Sequence, residues 1–316
     1  MFEGARVAVV VPAYNEELLI GRVIETMPDF VDLIVVVDDH SGDRTAEVVE
    51  SYGERLGERL VLLRHEVNRG VGAAIVSGYR LAQERGMDVV AVMAGDAQMD
   101  PAELPLIMGP VVRGEVDYVK GNRLFTGEAW RLIPRYRYLG NAFLSLLTKI
   151  ASGYWHVADS QTGYTAISRR ALEMLPLEKL YPRYGYPNHL LVMLNIYGMR
   201  VRDVPVRPIY NIGEKSGIRL SRVIPRLSWL LGRCFLWRMW EKYVIRDFHP
   251  LVFFYALAFF LLLAAFVLGV RMSVVWAVTG LIPRTNALAL MSSAIAGLQS
   301  LFFAMWFDME YNRTLR

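Results

Sequence analysis

Four short segments of the 316-residue sequence concentrate carboxylates, glycines and side-chain amides. They are Pro12-Ala13-Tyr14-Asn15-Glu16, Asp38-Asp39-His40-Ser41-Gly42-Asp43, Asn68-Arg69-Gly70-Val71-Gly72 and Gly95-Asp96-Ala97-Gln98-Met99-Asp100-Pro101. One such cluster is ordinary turn chemistry, and Asp43 and Asp100 are well placed to cap the helices that follow them. Four in succession point to a binding cleft. Carboxylate and carbonyl oxygens are what hard Mg2+ or Mn2+ takes as ligands, so the acidic members suit a metal-bound diphosphate. Other chemistries are excluded. No G-x-G-x-x-G follows the first apolar run and no G-x-x-x-x-G-K-[ST] occurs anywhere. Cys234 is the only cysteine, which removes a disulfide scaffold, and no Cys/His spacing suggests zinc. His40 and His65 read as loop residues, and His189 as a core histidine.

The elements that must position these clusters follow from periodicity. Short β-rich runs occur at residues 6–12, 33–38, 60–64, 89–93 and 118–120. Helix-like stretches at 16–27, 43–56, 71–85 and 101–113 separate them. Continuously apolar strands alternating with helices predict a parallel sheet covered on both faces. Each of the four clusters falls at the carboxyl end of a strand, where open α/β sheets bind their ligands.

The rest of the chain is different in kind. Hydrophobic residues make up 54% and charged residues 21%, too apolar for a wholly soluble chain and too charged for a polytopic one. Residues 1–212 hold 23 Lys/Arg against 26 Asp/Glu, while residues 213–316 hold 12 against 5. The basic tail is interleaved with long apolar runs, which favours an anionic membrane surface over nucleic acid. Residues 251–270 and 287–307 carry no charge and are each long enough to cross a bilayer as a helix. Arg233, Arg238, Lys242 and Arg246 precede the first span, and Arg313 and Arg316 follow the second. The positive-inside rule therefore predicts two spans with both termini and the large domain cytoplasmic. No cleavable leader is expected ahead of VAVVVP. Between domain and span, residues 221–246 repeat basic side chains at i, i+4 beside Leu and Trp, and read as interfacial helices. The expected division is 1–217, 218–248 and 249–316.

VVVPAYNE, VVVDDHSGD, NRGVGAAI, GDAQMDP, VKGNR, DSQTGYTAISR and GEKSGI, in that order over about residues 5–220, resemble the family 2 GT-A glycosyltransferases. The resemblance is greatest to dolichyl- and polyprenyl-phosphate sugar synthases. It implies an α/β fold with a mixed, mostly parallel sheet, helices on both faces, interfacial helices and two transmembrane helices. It also implies inverting transfer of one sugar from a nucleotide sugar to polyprenyl or dolichyl phosphate in the bilayer. Mg2+ or Mn2+ would be the cofactor; a homo-oligomer stays open.

Carried over by position, Pro12, Tyr14 and Glu16 hold the nucleoside, Asp39 reads the base edge, and Asn68 and Gly70 belong to the donor site. Asp96 takes the place of the metal-binding aspartate and Gln98 that of the family's glutamine. Ala94 stands where the family has its first aspartate. This leaves three readings: a metal with an extra water, a donor held differently, or a domain that binds without transfer. Arg123, Arg137 and Asn141 match the acceptor-phosphate positions, and Lys215 with Ser216 the loop that closes on the donor diphosphate. Asp159 occupies the place of the family's general base. A phosphate acceptor is already ionised at neutral pH, so Asp159 is expected to position other groups. Arg131, Arg135 and Arg183 match nothing and read as surface salt bridges. The anchor leans toward UDP-glucose or UDP-N-acetylglucosamine as donor, and the domain motifs suit GDP-mannose equally.

Overall fold

A computed structural model describes residues 1–125, 135–207, 209 and 220–316; for 135–139, 141 and 220–222 it describes the backbone alone. The chain forms two compact units, Met1–Leu236 with Leu315–Arg316, and Trp237–Thr314.

The first unit is built on seven strands: β1 Val7–Ala13, β2 Leu33–Asp38, β3 Leu60–Arg64, β4 Val89–Val92, β5 Tyr118–Asn122, β6 Thr165–Ser168 and β7 Val201–Pro205. Their order is β3-β2-β1-β4-β6-β5-β7. β1 pairs in parallel with β2 and β4, and β2 with β3. β6 runs antiparallel to both β4 and β5, and β7 returns parallel to β5. The sheet is therefore mixed and mostly parallel. β2 is buried along its whole length, which is why its sequence is unbroken Leu-Ile-Val-Val-Val.

The helices are α1 Ile20–Glu25, α2 Thr45–Ser51, α3 Gly53–Leu56, α4 Val71–Glu84, α5 Leu104–Val112, α6 Arg135–Ser152, α7 Arg169–Met174, α8 Tyr186–Ile196 and α9 Leu220–Trp240. α1 is shorter than the periodicity predicts, because the backbone of Glu16 and Glu17 is drawn away by tertiary bonds to Thr45 Oγ1 (2.8 Å) and Asp43 Oδ2 (3.2 Å). Asp100 caps the turn that leads into α5, accepting from Ala102 N at 2.9 Å. Asp43 lies one residue outside the α2 cap position and still takes Thr45 N at 3.0 Å.

The second unit carries the end of α9, a π-helical turn at Glu241–Arg246, and the antiparallel pair α10 Leu251–Thr279 and α11 Arg284–Tyr311. Both helices are long and apolar enough to cross a membrane. At the base of the pair, Arg238 makes a bidentate bond to Asp308 (2.8 and 2.9 Å), and Tyr243 Oη donates to the same carboxylate at 2.6 Å.

α4 lies against β1 at the centre of the first unit. A Cβ on Gly78 would sit 2.3 Å from Val10 Cγ1, inside any real contact distance. Alanine is about 1 kcal/mol better than glycine in a helix, but overpacking costs about 1–3 kcal/mol. Gly78→Ala should therefore lower the Tm of the full chain in detergent. Gly53→Ala, with open space around its Cβ, should hold or raise it. Equal shifts in the two variants would mean that α4 does not seat on β1 through Gly78.

Candidate functional site

The carboxyl ends of β1, β2 and β4 open into a cleft of ≈ 640 Å³ whose lining includes Tyr14, Glu16, Asp39, Asn68, Gly70 and Asp96. The loop after β1 is sewn to the loop after β2. Asn15, held at φ +57°, accepts from Gly42 N at 2.8 Å, and its own N–H donates to Ser41 Oγ at 2.9 Å. This fixes Tyr14, half exposed, and Glu16 at the cleft edge.

Asp39 is buried and organises the next loop. It accepts from Gly70 N at 2.7 Å, Arg69 N at 2.9 Å and the His65 ring at 2.7 Å. The His65 ring spans from Asp39 to Ser77 Oγ (2.9 Å), so this residue lies in the loop after β3, as its sequence context suggested, and serves there as a connector within the site. Asn68 Nδ2 donates to the Asp39 carbonyl at 3.2 Å.

Glu16 and Asp96 are the pair that could hold a metal. Burial first, then the nearby carboxylates of Asp96 and Asp43, push the Glu16 carboxyl up to about 7. Neighbouring like charges in a partly buried cleft favour a proton or a cation. Among the described residues no group of three or more His, Cys, Asp or Glu could hold a metal alone. That pattern fits Mg2+ or Mn2+, which takes one or two carboxylates and completes its shell with substrate phosphate and water. Asp96 Oδ1 accepts from Gln98 N at 3.1 Å. Ala94 lines the cleft and Gln98 does not.

The second predicted group lies at the end of β5. Arg123 Nε and Nη2 donate to the two Asp159 oxygens at 2.7 and 3.1 Å, and Gln161 N adds a third bond at 3.1 Å. Burial alone would raise the Asp159 carboxyl, but the Arg123 guanidinium overrides it and holds the group below the ordinary range. Asp159 is thus an ionised, occupied carboxylate that aims a guanidinium. Neither residue is among those lining the cleft. Arg137 and Asn141 stand one turn apart on α6; their side chains lie outside the described residues, as do Lys215, Ser216 and Arg131 and the side chain of Arg135.

Sequence reasoning missed the charges beneath this pair. Lys120 is fully buried in β5, donates to the Thr162 carbonyl and is pulled down to about 8 by burial. Asp203 Oδ2 accepts from Ala158 N (2.6 Å) and Asn122 Nδ2 (3.2 Å), while its Oδ1 has no partner. Burial pushes Asp203 up to about 7. A lysine inside the buried strand YVKGN was the available signal. His189 Nδ1 accepts from Tyr181 N at 3.0 Å, and burial lowers the ring to about 4, so it is neutral.

Residues 8–175 match the profile described as Glycosyl transferase family 2. The UDP-N-acetylglucosamine–dolichyl-phosphate N-acetylglucosaminyltransferase of Methanococcus voltae is 29% identical over 213 residues, 64% of this chain and 84% of that one. The undecaprenyl-phosphate mannosyltransferase of Micrococcus luteus is 28% identical over 206 residues, 64% and 82% of the two chains. A solved structure, glucosyl-3-phosphoglycerate synthase from Mycobacterium tuberculosis with Mn2+ and UDP, superposes with a TM-score of 0.54. It is 22% identical, covers 74% of this chain and 80% of its own, and shares the fold.

Asp203 gives this geometry a pH signature. Its folded value of about 7 lies above the ordinary 3.8, so the folded chain binds this proton more tightly than the unfolded one. Its contribution to stability is full below the ordinary value, is lost as pH rises, and is gone above about 7. Asp203→Asn keeps an acceptor for Ala158 N and offers N–H where Oδ1 lacks a partner. Between about pH 5 and pH 8 the variant's Tm should fall less than the wild type's. The slope from Glu16 is common to both and cancels. Parallel Tm curves would show that Asp203 is not protonated at low pH in the folded chain.

Proposed function

Because the chain belongs to glycosyl transferase family 2, we propose that it transfers one sugar, with inversion, from a nucleotide sugar to the phosphate of a membrane-borne polyprenol. One observation carries this reading: Glu16 and Asp96 line one cleft at the strand ends, where burial and then the nearby carboxylates raise Glu16, a strain that a cation-bound diphosphate would relieve. The names of the Methanococcus and Micrococcus relatives, both lipid-phosphate sugar transferases, support the acceptor class. We favour UDP-glucose or UDP-N-acetylglucosamine as donor, in line with the first of them. The Micrococcus mannosyltransferase favours a second reading with GDP-mannose.

In this proposal Pro12 and Tyr14 flank the nucleoside, Asp39 meets the base edge, and Asn68 and Gly70 shape the floor. Asp96, helped by Glu16 and with Gln98 behind it, would hold Mg2+ or Mn2+, which neutralises the departing diphosphate. Lys215 and Ser216 close over that diphosphate. Arg123, aimed by Asp159, acts with Arg137 and Asn141 on the acceptor phosphate, which attacks without a base because it is already ionised. Two guanidiniums offset the repulsion between acceptor and donor phosphates. α10 and α11 serve as a two-span anchor with both termini and the catalytic part in the cytoplasm. The exposed stripe Trp229, Leu236 and Trp240 on α9 suits a bilayer surface. We keep 1–217 as catalytic, 218–248 as interfacial and 249–316 as anchor.

The test is transfer from a panel of UDP- and GDP-sugars to polyprenyl phosphate in detergent with Mn2+. Activity with one donor is expected; no transfer from any donor would overturn the reading. Asp96→Asn should lower the rate by roughly 10²-fold, the scale of losing one electrostatic stabiliser of the leaving group. Arg123→Ala should lower kcat/KM for the lipid phosphate by roughly 10- to 150-fold, the worth of a charge-assisted hydrogen bond, while nucleotide-sugar affinity holds. Loss of donor affinity with an unchanged acceptor KM would move Arg123 to the donor side.

A further inference from the structure

Residues 181–185 form a strap across the start of α4. Ala73 N donates to the Pro182 carbonyl at 3.1 Å, and Tyr181 N is held by His189 at 3.0 Å. The fit is close. A Cβ on Gly70 would lie 2.6 Å from the Pro182 oxygen, and one on Gly72 would lie 2.3 Å from the Tyr181 oxygen. At the other end of the strap, a Cβ on Gly185 would lie 2.7 Å from the Leu227 and Leu230 side chains of α9. The glycines of NRGVG thus admit a piece of protein, and that piece is locked between α4 and α9.

The strap and α9 bring Arg183 and Arg226 to the lining of the cleft that Glu16, Asp39 and Asp96 share. Arg183 makes no salt bridge among the described residues, contrary to its sequence reading, and neither does Arg226. Most of the arginines that pair, such as Arg113, Arg169 and Arg200, do so on the outer surface. Arg183 and Arg226 therefore line the same cleft of ≈ 640 Å³ as Glu16, Asp39 and Asp96, with no salt bridge of their own among the described residues. A ligand in this cleft that meets the two arginines must offer them anionic oxygens.

We propose that Arg183 and Arg226 are a phosphate-binding pair in this cleft, additional to Arg123 and Arg137. The inference rests on the transferase reading, in which two phosphate sources reach the site: the nucleotide diphosphate and the lipid phosphomonoester. Guanidinium forks recognise either. Arg226 stands three residues before Trp229, on the helix proposed to touch the bilayer, and Arg183 stands beside the Gly70 turn. The structure thus offers one arginine on the membrane-facing helix and one on the nucleotide side.

The experiment uses the full chain in detergent, with Arg183→Ala, Arg226→Ala, the corresponding Lys variants, and Arg85→Ala as a control of equal charge loss at the exposed far end of α4. Mn2+ with inorganic pyrophosphate, UDP, GDP, uridine and guanosine are titrated by calorimetry, and acceptor KM is measured with polyprenyl phosphate. Each Ala variant should weaken pyrophosphate and nucleoside-diphosphate binding, or raise acceptor KM, by about 10- to 150-fold. Nucleoside affinity and the Arg85→Ala control should stay put, and Lys should recover part of the loss. Loss in the diphosphate arm assigns the residue to the donor, and loss in the KM arm assigns it to the lipid. Changes within about twofold in both arms, with Tm intact, overturn the pair, as does a wild type that binds no pyrophosphate. A wild type that binds pyrophosphate but neither UDP nor GDP instead overturns the transferase reading alone.

Discussion

A carboxylate taken out of water costs free energy for every oxygen left without a hydrogen bond. Asp39 avoids that cost by gathering three strand ends. Its backbone N–H goes to Ala13 O at the end of β1, at 2.9 Å. Its side chain holds the backbone of Arg69 and Gly70 and the ring of His65, all beyond β3. The loops after β1, β2 and β3 thus share one anchor, and the entry to α4 is set by it. The strap at 181–185 in turn seats on that entry. Any contact of Asp39 with a nucleobase has to use lone pairs that these bonds leave over, so the residue is a scaffold for the cleft before it is a reader of the ligand.

Charge is handled in two ways in the first unit, and the contrast separates scaffold from binding surface. Beneath β5 and β7 the charges alternate in sign: Arg123 on Asp159, with Lys120 and Asp203 next to them. Such a set can be buried because each member has an opposite close by. At the cleft, Glu16 and Asp96 are of one sign, and burial first, then Asp96 and the neighbouring Asp43, raise the Glu16 carboxyl. A fold has no use of its own for repelling carboxylates. Such a set in a cleft marks a candidate binding surface.

What the sequence made legible follows the same division. β1 to β4 are apolar runs because they are buried on both faces or packed in parallel, and that pattern needs no tertiary knowledge. β6 is only Thr-Ala-Ile-Ser, and β7 is Val-Arg-Asp-Val-Pro, so neither shows a period. Periodicity shows neither, so the antiparallel part of the mixed sheet was expected from the family resemblance alone. The strand-end loops could be found because the carboxyl edge of a parallel sheet is fixed by chain direction. Lys120 left a signal as a lysine within a buried strand; the roles of Asp203, His65 and Arg183 left none, since each is set by a partner the fold brings up, as Asn122 and Asp203 are across 81 residues.

α10 and α11 pose the opposite problem. Their sequences are apolar on every side, so no amphipathic stripe tells one helix how to rotate against the other. In the bilayer proposed for them, hydrophobic burial does not draw helices together, and packing of small residues with polar bonds must do it. The buried small residues Ala258, Ala265, Gly297 and Ala304 supply the close contact. Polar bonds fix the rotation at both ends: Asp308 and Asn312 of α11 face Arg238, Lys242 and Tyr243, and Asn286 Nδ2 donates to the Leu268 carbonyl of α10 at 2.9 Å. A buried ion pair of this kind adds little net stability over a well-packed apolar substitute. Its effect is selective: any other rotation of α11 would leave Arg238 and Asp308 as unpaired charges, so the alternatives are penalised more than the native pairing is rewarded.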